Sequence, residues 1–142
     1  MLDVIIANTG MGIKKHLARH PRYHGLANDA EAIKIALAPN VTGIYISNEQ
    51  DGGMMDPNRS ENQGLGLSVT DLLVKRSGNG VLCIWSGNGL YQSGSGISIM
   101  PVAWPGTVVF LRLVQEIQVD YLKIIKELHV PLRRPKHRLY FS

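Results

Sequence analysis

Cysteine is nearly missing from this chain. The single copy, Cys83, rules out an internal disulfide. The fold must therefore rest on its own core, and a cytoplasmic setting is favoured over a secreted one. The triplets Asn40-Val41-Thr42 and Asn58-Arg59-Ser60, which look like glycosylation acceptors, then carry no meaning. Long apolar runs are absent too. None approaches the ~20 residues of a membrane-spanning helix, so no membrane partner is expected. No basic, then apolar, then small-residue leader opens the chain. No Gly-Lys-Ser/Thr occurs, which excludes a Walker-type phosphate loop. Ser86 lacks a Gly-x-Ser-x-Gly setting, and no hydrolase triad can be assembled. There is no internal repeat.

What remains is 142 residues with 44% hydrophobic content and a mean hydropathy near zero. That is one soluble domain, long enough to bury a core. The net charge of +4 is unevenly spread. Residues 1–128 hold eleven basic and eleven acidic side chains, so the whole excess lies in Arg133, Arg134, Lys136 and Arg138. No aromatic side chains are interleaved with these charges. The tail therefore reads as a solvated end rather than a nucleic-acid platform.

Glycine punctuates the chain. Leu2 to Ala7 is short and β-branched, a strand expected to be buried. It runs into Asn8-Thr9-Gly10-Met11-Gly12-Ile13. A helical turn or two is expected from Ile13 to Arg19, ending before Pro21. Asp29 to Ala38 predicts a helix, with Asn28 or Asp29 as cap and Ala30, Ile33 and Leu37 on one face. Residues 40–63 are polar and glycine-rich and read as a loop. Gly64-Leu65-Gly66-Leu67 then opens a helix over Gly66 to Arg76, with Val69, Leu72 and Leu73 as its apolar face and Gly78-Asn79-Gly80 as its stop. Three strands follow, Val81 to Trp85, Gly89 to Gln92 and Thr107 to Leu113. Asn88-Gly89 is a hairpin turn between the first two, and residues 93–106 read as a loop with a poorly ordered strand segment around residues 97–100. Val114, Ile117, Tyr121, Ile124, Ile125 and Leu128 recur at helical spacing, so residues 114–128 predict an amphipathic helix.

The order of these motifs resembles the GHKL ATPase domain shared by DNA gyrase, MutL and sensor histidine kinases. The pieces that carry the resemblance are Asn8-Thr9-Gly10-Met11-Gly12-Ile13, Gln63-Gly64-Leu65-Gly66-Leu67, Ser86-Gly87-Asn88-Gly89 and Trp104-Pro105-Gly106-Thr107-Val108. The spelling is similar to the ATP-binding domain of histidine-kinase-like bacterial signalling proteins, over residues 2–113. The resemblance implies an α/β (α+β) two-layer sandwich of Bergerat type, with helices on one face of a mixed, mostly antiparallel sheet. It implies a nucleotide, ATP or ADP, beneath a lid at about residues 39–63. Asn8 would accept a hydrogen bond from the adenine amino group, where the family usually has Asp. Gly10, Gly12 and Ile13 would floor the base pocket. Gly64, Leu65, Gly66 and Leu67 would meet the triphosphate at a helix N-terminus. Thr107 would support the adenine contact.

The family's acidic base and its Mg²⁺-holding Asn sit on a helix expected ahead of residue 1. No Glu-x-x-x-Asn pattern replaces them here. Catalytic residues and metal ligands are therefore expected to be absent from this chain, and Mg²⁺ binding is in doubt. Two divisions follow: residues 1–113 as the nucleotide module and 114–142 as helix plus basic tail. The opposing expectation is a degenerate relative that acts as an interaction module, with helix 114–128 meeting a protein partner or a second copy. His16, His20 and His24 recur every four residues, but Pro21 interrupts them and exposed histidines are expected. Cys83 is expected in the core.

Overall fold

A computed structural model describes residues 1–39, 41, 66–76, 78–114, 123, 126 and 127. It is a small α+β domain. Three antiparallel strands, β1 (Leu2–Asn8), β2 (Val81–Gln92) and β3 (Gly96–Leu113), lie in the order β1-β3-β2. Three helices, α1 (Gly12–Leu17), α2 (Asp29–Ala36) and α3 (Gly66–Arg76), pack on β2 and β3. Every strand pairing among the described residues is antiparallel, where a mixed sheet was expected. No helix of the described residues is long and apolar enough to cross a membrane.

The core has a simple origin. Leu82 and Ile84 point to the helices and are fully buried, with Ile33 of α2 and Val74 of α3 packed on them. Cys83 falls between them on the other face and is only half-buried, not in the core. Burial still pushes its thiol pKa up. A second small cluster joins Leu17 of α1 to Ala32 and Ala36 of α2. The helix ends follow capping chemistry. Asn28 Oδ1 accepts from the Glu31 amide at 2.8 Å, and Glu31 reaches back to the Ala27 amide at 2.7 Å. That arrangement satisfies donors a helix start leaves open. Helix α2 stops at Ala36, two residues sooner than its sequence suggests, and α1 stops at Leu17 rather than Arg19.

Strand β2 is long but not straight. Leu82 and Ser93 are bonded to each other twice, Ser93 N to Leu82 O at 2.8 Å and Leu82 N to Ser93 Oγ at 2.9 Å. A straight strand would hold them roughly 36 Å apart. The chain therefore reverses midway, at Gly87-Asn88, where Gly87 has φ +55°. Burial agrees. Leu82, Ile84 and Ser86 are buried, then Gly89 and Tyr91, so the alternation shifts by one residue across Gly87-Asn88. A two-residue reversal does this. The expected turn is thus present, and it pairs the two halves of β2 with each other. Its tip sits on the start of α2. A Cβ on Gly89 would meet Ala30 N and the Asp29 carbonyl carbon at 2.7 Å, and Asn88 N donates to Asp29 Oδ2 at 3.2 Å.

Two expectations are corrected. Residues 93–106 are more strand than loop: Ser93-Gly94-Ser95 turns, and β3 begins at Gly96, taking in the strand segment expected around residues 97–100. Its prolines, Pro101 and Pro105, fall where β3 has no partner residue in β1 or β2, which is where strands tolerate proline. Strand β1 is not buried either. Leu2, Ile5 and Ile6 are 57%, 69% and 63% exposed. Among the described residues β1 is an edge strand, and the helices cover the other two. Its register is fixed by Arg112, which grips both Asp3 oxygens at 2.8 Å. That bond holds the Asp3 carboxyl below the usual range.

Helix α3 starts and ends where expected, but its buried face is rotated. Ser68, Val69, Asp71 and Val74 face inward, while Leu72 and Leu73 are half-buried. The cause is a polar latch. The Tyr91 hydroxyl donates to Asp71, and Lys75 holds the other Asp71 oxygen. Burial, then the Asp71 bond and charge, push the Tyr91 phenol well above its ordinary value. A phenol pKa raised on folding contributes stability that is whole below about pH 10 and lost as pH climbs through the folded value. Tyr91→Phe should therefore flatten the alkaline fall in melting temperature between pH 9 and 11, while losing about 1–2 kcal/mol at pH 7. A wild-type-like alkaline slope in the variant would contradict the latch.

The predicted helix over 114–128 lies largely outside the described residues. Lys123, Lys126 and Glu127 are helical there, and Glu127 pairs with Arg76 at the end of α3. The basic tail and the polar segment 42–63 also lie outside them.

Candidate functional site

The site forms where β1 ends. Asn8 is the last residue of the strand, opposite Thr107 in β3. The chain then turns through Thr9, Gly10 and Met11 into α1. Asn8 is held at three points. Its Oδ1 accepts from Gly10 N at 3.1 Å and from Thr107 N at 3.2 Å. Its carbonyl accepts from Trp104 Nε1 at 2.8 Å. The Trp104 ring in turn rests on Trp85, with centroids 5.9 Å apart.

Beneath the turn lies Ser86, fully buried. Its Oγ accepts from Ile13 N at 2.8 Å, donates to Gly106 O at 2.9 Å, and lies 3.2 Å from Thr107 Oγ1. One hydroxyl thus ties α1 to β3 through β2. Two glycines allow the close approach. Gly12, at φ +74°, leaves a Cβ only 3.1 Å from Ser86 Oγ. Gly106, at φ +144°, brings its backbone against the Asn8 carbonyl, where a Cβ would collide.

A cavity of about 320 Å³ opens on the helix side of this turn. Asn8, Gly10, Gly12, Ile13, Leu67 and Thr107 line it, with Met11, His16, Leu17 and Ala36. Its size is that of a small-molecule site, apolar with a few convergent polar groups. Six residues singled out from the sequence meet here, drawn from β1, α1, α3 and β3. Gly66 starts α3 next to Leu67, and a Cβ there would meet nothing within 4 Å. Gly64 and Leu65 lie outside the described residues. A second cavity of about 430 Å³ shares the glycine turn as a wall and is lined by Lys14, Lys15, Asp29 and Trp104 among others. Its Lys14 gives one of its three N–H donors to the Ala27 carbonyl.

Sequence reasoning missed Ser86, whose partners are 20 to 73 residues away in the chain. It also missed His16 as a wall residue. The three histidines do not converge: His16 is on α1, and His20 caps the Pro21–Tyr23 turn by accepting from Arg22 N. Among the described residues lining the 320 Å³ cavity there is no carboxylate. The donor set therefore does not suit Mg²⁺, which binds through carboxylates and substrate phosphates. Comparison of the chain with family models, with curated proteins and with solved structures finds no match.

Proposed function

We propose that this chain is a nucleotide-binding module of the GHKL kind, from a histidine-kinase-like signalling protein of the cytoplasm. The base enters the cavity between the Gly10-Met11-Gly12 turn and Thr107. The phosphates run toward the N-terminus of α3, whose dipole favours an anion. One observation supports this most: six residues from four separate elements, chosen for a nucleotide site, line one cavity of suitable size. Hydrolysis is not assigned to this chain: among the described residues that line the cavity there is no carboxylate base.

The test is calorimetric titration of ATP, ADP, GTP and ITP into the folded protein, with and without Mg²⁺. The expected result is saturable binding of at least one purine nucleotide, unchanged by Mg²⁺. Gly66→Val should fold, since the space beside Gly66 is open, yet weaken binding at least about tenfold by obstructing the phosphate path. A folded wild-type protein that binds none of the four overturns the proposal.

A second reading has its own support. Among the described residues β1 is an edge strand that exposes Leu2, Ile5 and Ile6, and such edges pair with other chains. On that reading the protein is an interaction module, and light scattering would show a complex or dimer in place of nucleotide binding.

A further inference from the structure

The sheet has two faces, and the helices take one of them. Ile33 and Val74 pack on Leu82 and Ile84, with Val109, Leu111 and Leu113 half-buried around them. Side chains alternate along a strand, so Val108 and Phe110 of β3 and Cys83 and Trp85 of β2 belong to the other face. The register brings β1 beside them. Ile5, Phe110 and Cys83 stand in one row, and Ala7, Val108 and Trp85 in the next. Among the described residues no helix packs on this second face. Ile5 is 69% exposed there, and Cys83, Trp85, Val108 and Phe110 are half-buried.

An antiparallel sheet with one free face normally alternates apolar and polar residues. Here the alternation fails. Val81-Leu82-Cys83-Ile84-Trp85 and Val108-Val109-Phe110-Leu111 are apolar throughout. That pattern belongs to strands covered on both sides. Across all three strands the charged side chains are Asp3 and Arg112 alone, and they grip each other at one end of the rows. A contiguous apolar face of this kind marks a contact site.

Charge, shape and area choose the occupant. The face has no net charge with which to draw an acidic or basic partner or an anionic lipid surface, and nothing on it repels a second copy of itself. Its form is that of a twisted sheet, and a sheet of the same twist stacks on it at about 10 Å. Leu90 and Met100 carry the apolar surface across the second half of β2 to the first part of β3, so it is five ribbons wide. Strand spacing and rise give it roughly 24 by 20 Å, or about 500 Å² in plan. Two such faces remove about 1,000 Å² from water, enough for a dimer of modest affinity. We propose that two copies of this chain pair through the uncovered faces of their sheets, with both helix layers outermost. The pairing does not depend on the nucleotide reading, because the 320 Å³ cavity opens among the helices. It also differs from pairing along the edge of β1.

Sedimentation velocity of the full chain over a range of concentrations tests it. The expected result is a monomer–dimer equilibrium with a Kd on the order of 10 µM. Ile5→Lys and Ile6→Lys form a matched pair. The two residues are neighbours on one strand, 69% and 63% exposed, and lie on opposite faces, Ile6 beside Val109. Their exposure lets either variant fold. Ile5→Lys should weaken the dimer at least about tenfold, because it sets an unpaired ammonium in an apolar contact. Ile6→Lys should leave it unchanged. Cys83 supplies a second readout. It is the single cysteine and stands in the middle of the face, so its alkylation by N-ethylmaleimide should slow as the protein concentration rises through the Kd. A chain that stays monomeric at ten times that Kd overturns the proposal. A dimer that Ile6→Lys breaks as readily as Ile5→Lys also overturns it, by placing the contact on the strand edge. So does a dimer in which Cys83 reacts as fast as in the monomer.

Discussion

Gly106→Ala should destabilise the domain by at least about 3 kcal/mol. Two effects combine. A residue at φ +144° is strained for any L side chain, which by itself costs about 1–3 kcal/mol. The new methyl would also collide with the Asn8 carbonyl oxygen and lie 2.8 Å from its carbon. Those atoms are backbone, so no rotamer change relieves the overlap. The strand pair β1–β3 would have to part at Asn8 and Thr107, which breaks the network that holds Asn8. Urea unfolding should show the loss as a lower midpoint at unchanged slope. Gly25→Ala is the matched control. It has open space and no special backbone angle, so its effect should stay within about 0.5 kcal/mol. A Gly106→Ala protein within about 1 kcal/mol of wild type would contradict the close approach.

Ser86→Ala is expected to be nearly as damaging, for the opposite reason. Nothing is crowded, but three groups lose a partner: the Ile13 amide, the Gly106 carbonyl and the Thr107 hydroxyl. Ser86 is fully buried, so water does not replace it. Each unsatisfied buried group costs about 1–3 kcal/mol, and relaxation recovers part, giving about 2–4 kcal/mol in all. Hydrogen exchange gives a local signature. The Ile13 amide should lose protection selectively, because its acceptor is the missing oxygen. A variant with full protection at Ile13 would show that Ser86 does not organise the site.

Glycine and periodicity made much of this fold legible. Helix α3 runs over Gly66–Arg76 as its flanking glycines indicate, and α2 begins at the cap Asn28 supplies. The reversal near Asn88 followed from the Asn-Gly pair. The site residues were legible as motifs, because close backbone approach leaves glycine few substitutes. What stayed hidden depends on partners far away in sequence. The run Leu2-Asp3-Val4-Ile5-Ile6 has the composition of a buried strand, yet its position at the sheet edge leaves it exposed. The face of α3 was misread because Asp71 is drawn inward by Tyr91, 20 residues later. Residues 96–106 have loop composition, yet β3 accommodates their prolines where pairing lapses. The engagement of Asn8 Oδ1 by Thr107 N spans 99 residues. No local pattern encodes it, although it decides what the amide can offer a ligand.

The most direct test of the nucleotide site is a two-dimensional NMR titration of the ¹⁵N-labelled protein with ATP. It reads the Asn8 side-chain NH₂ pair together with the backbone amides of Gly10, Gly12, Leu67 and Thr107. The account predicts that these signals move together and saturate at one common affinity, with the Asn8 NH₂ pair among the largest shifts. Saturation confined to Lys14, Lys15 and the Trp104 indole, or an unmoved Asn8 NH₂ pair, would contradict it.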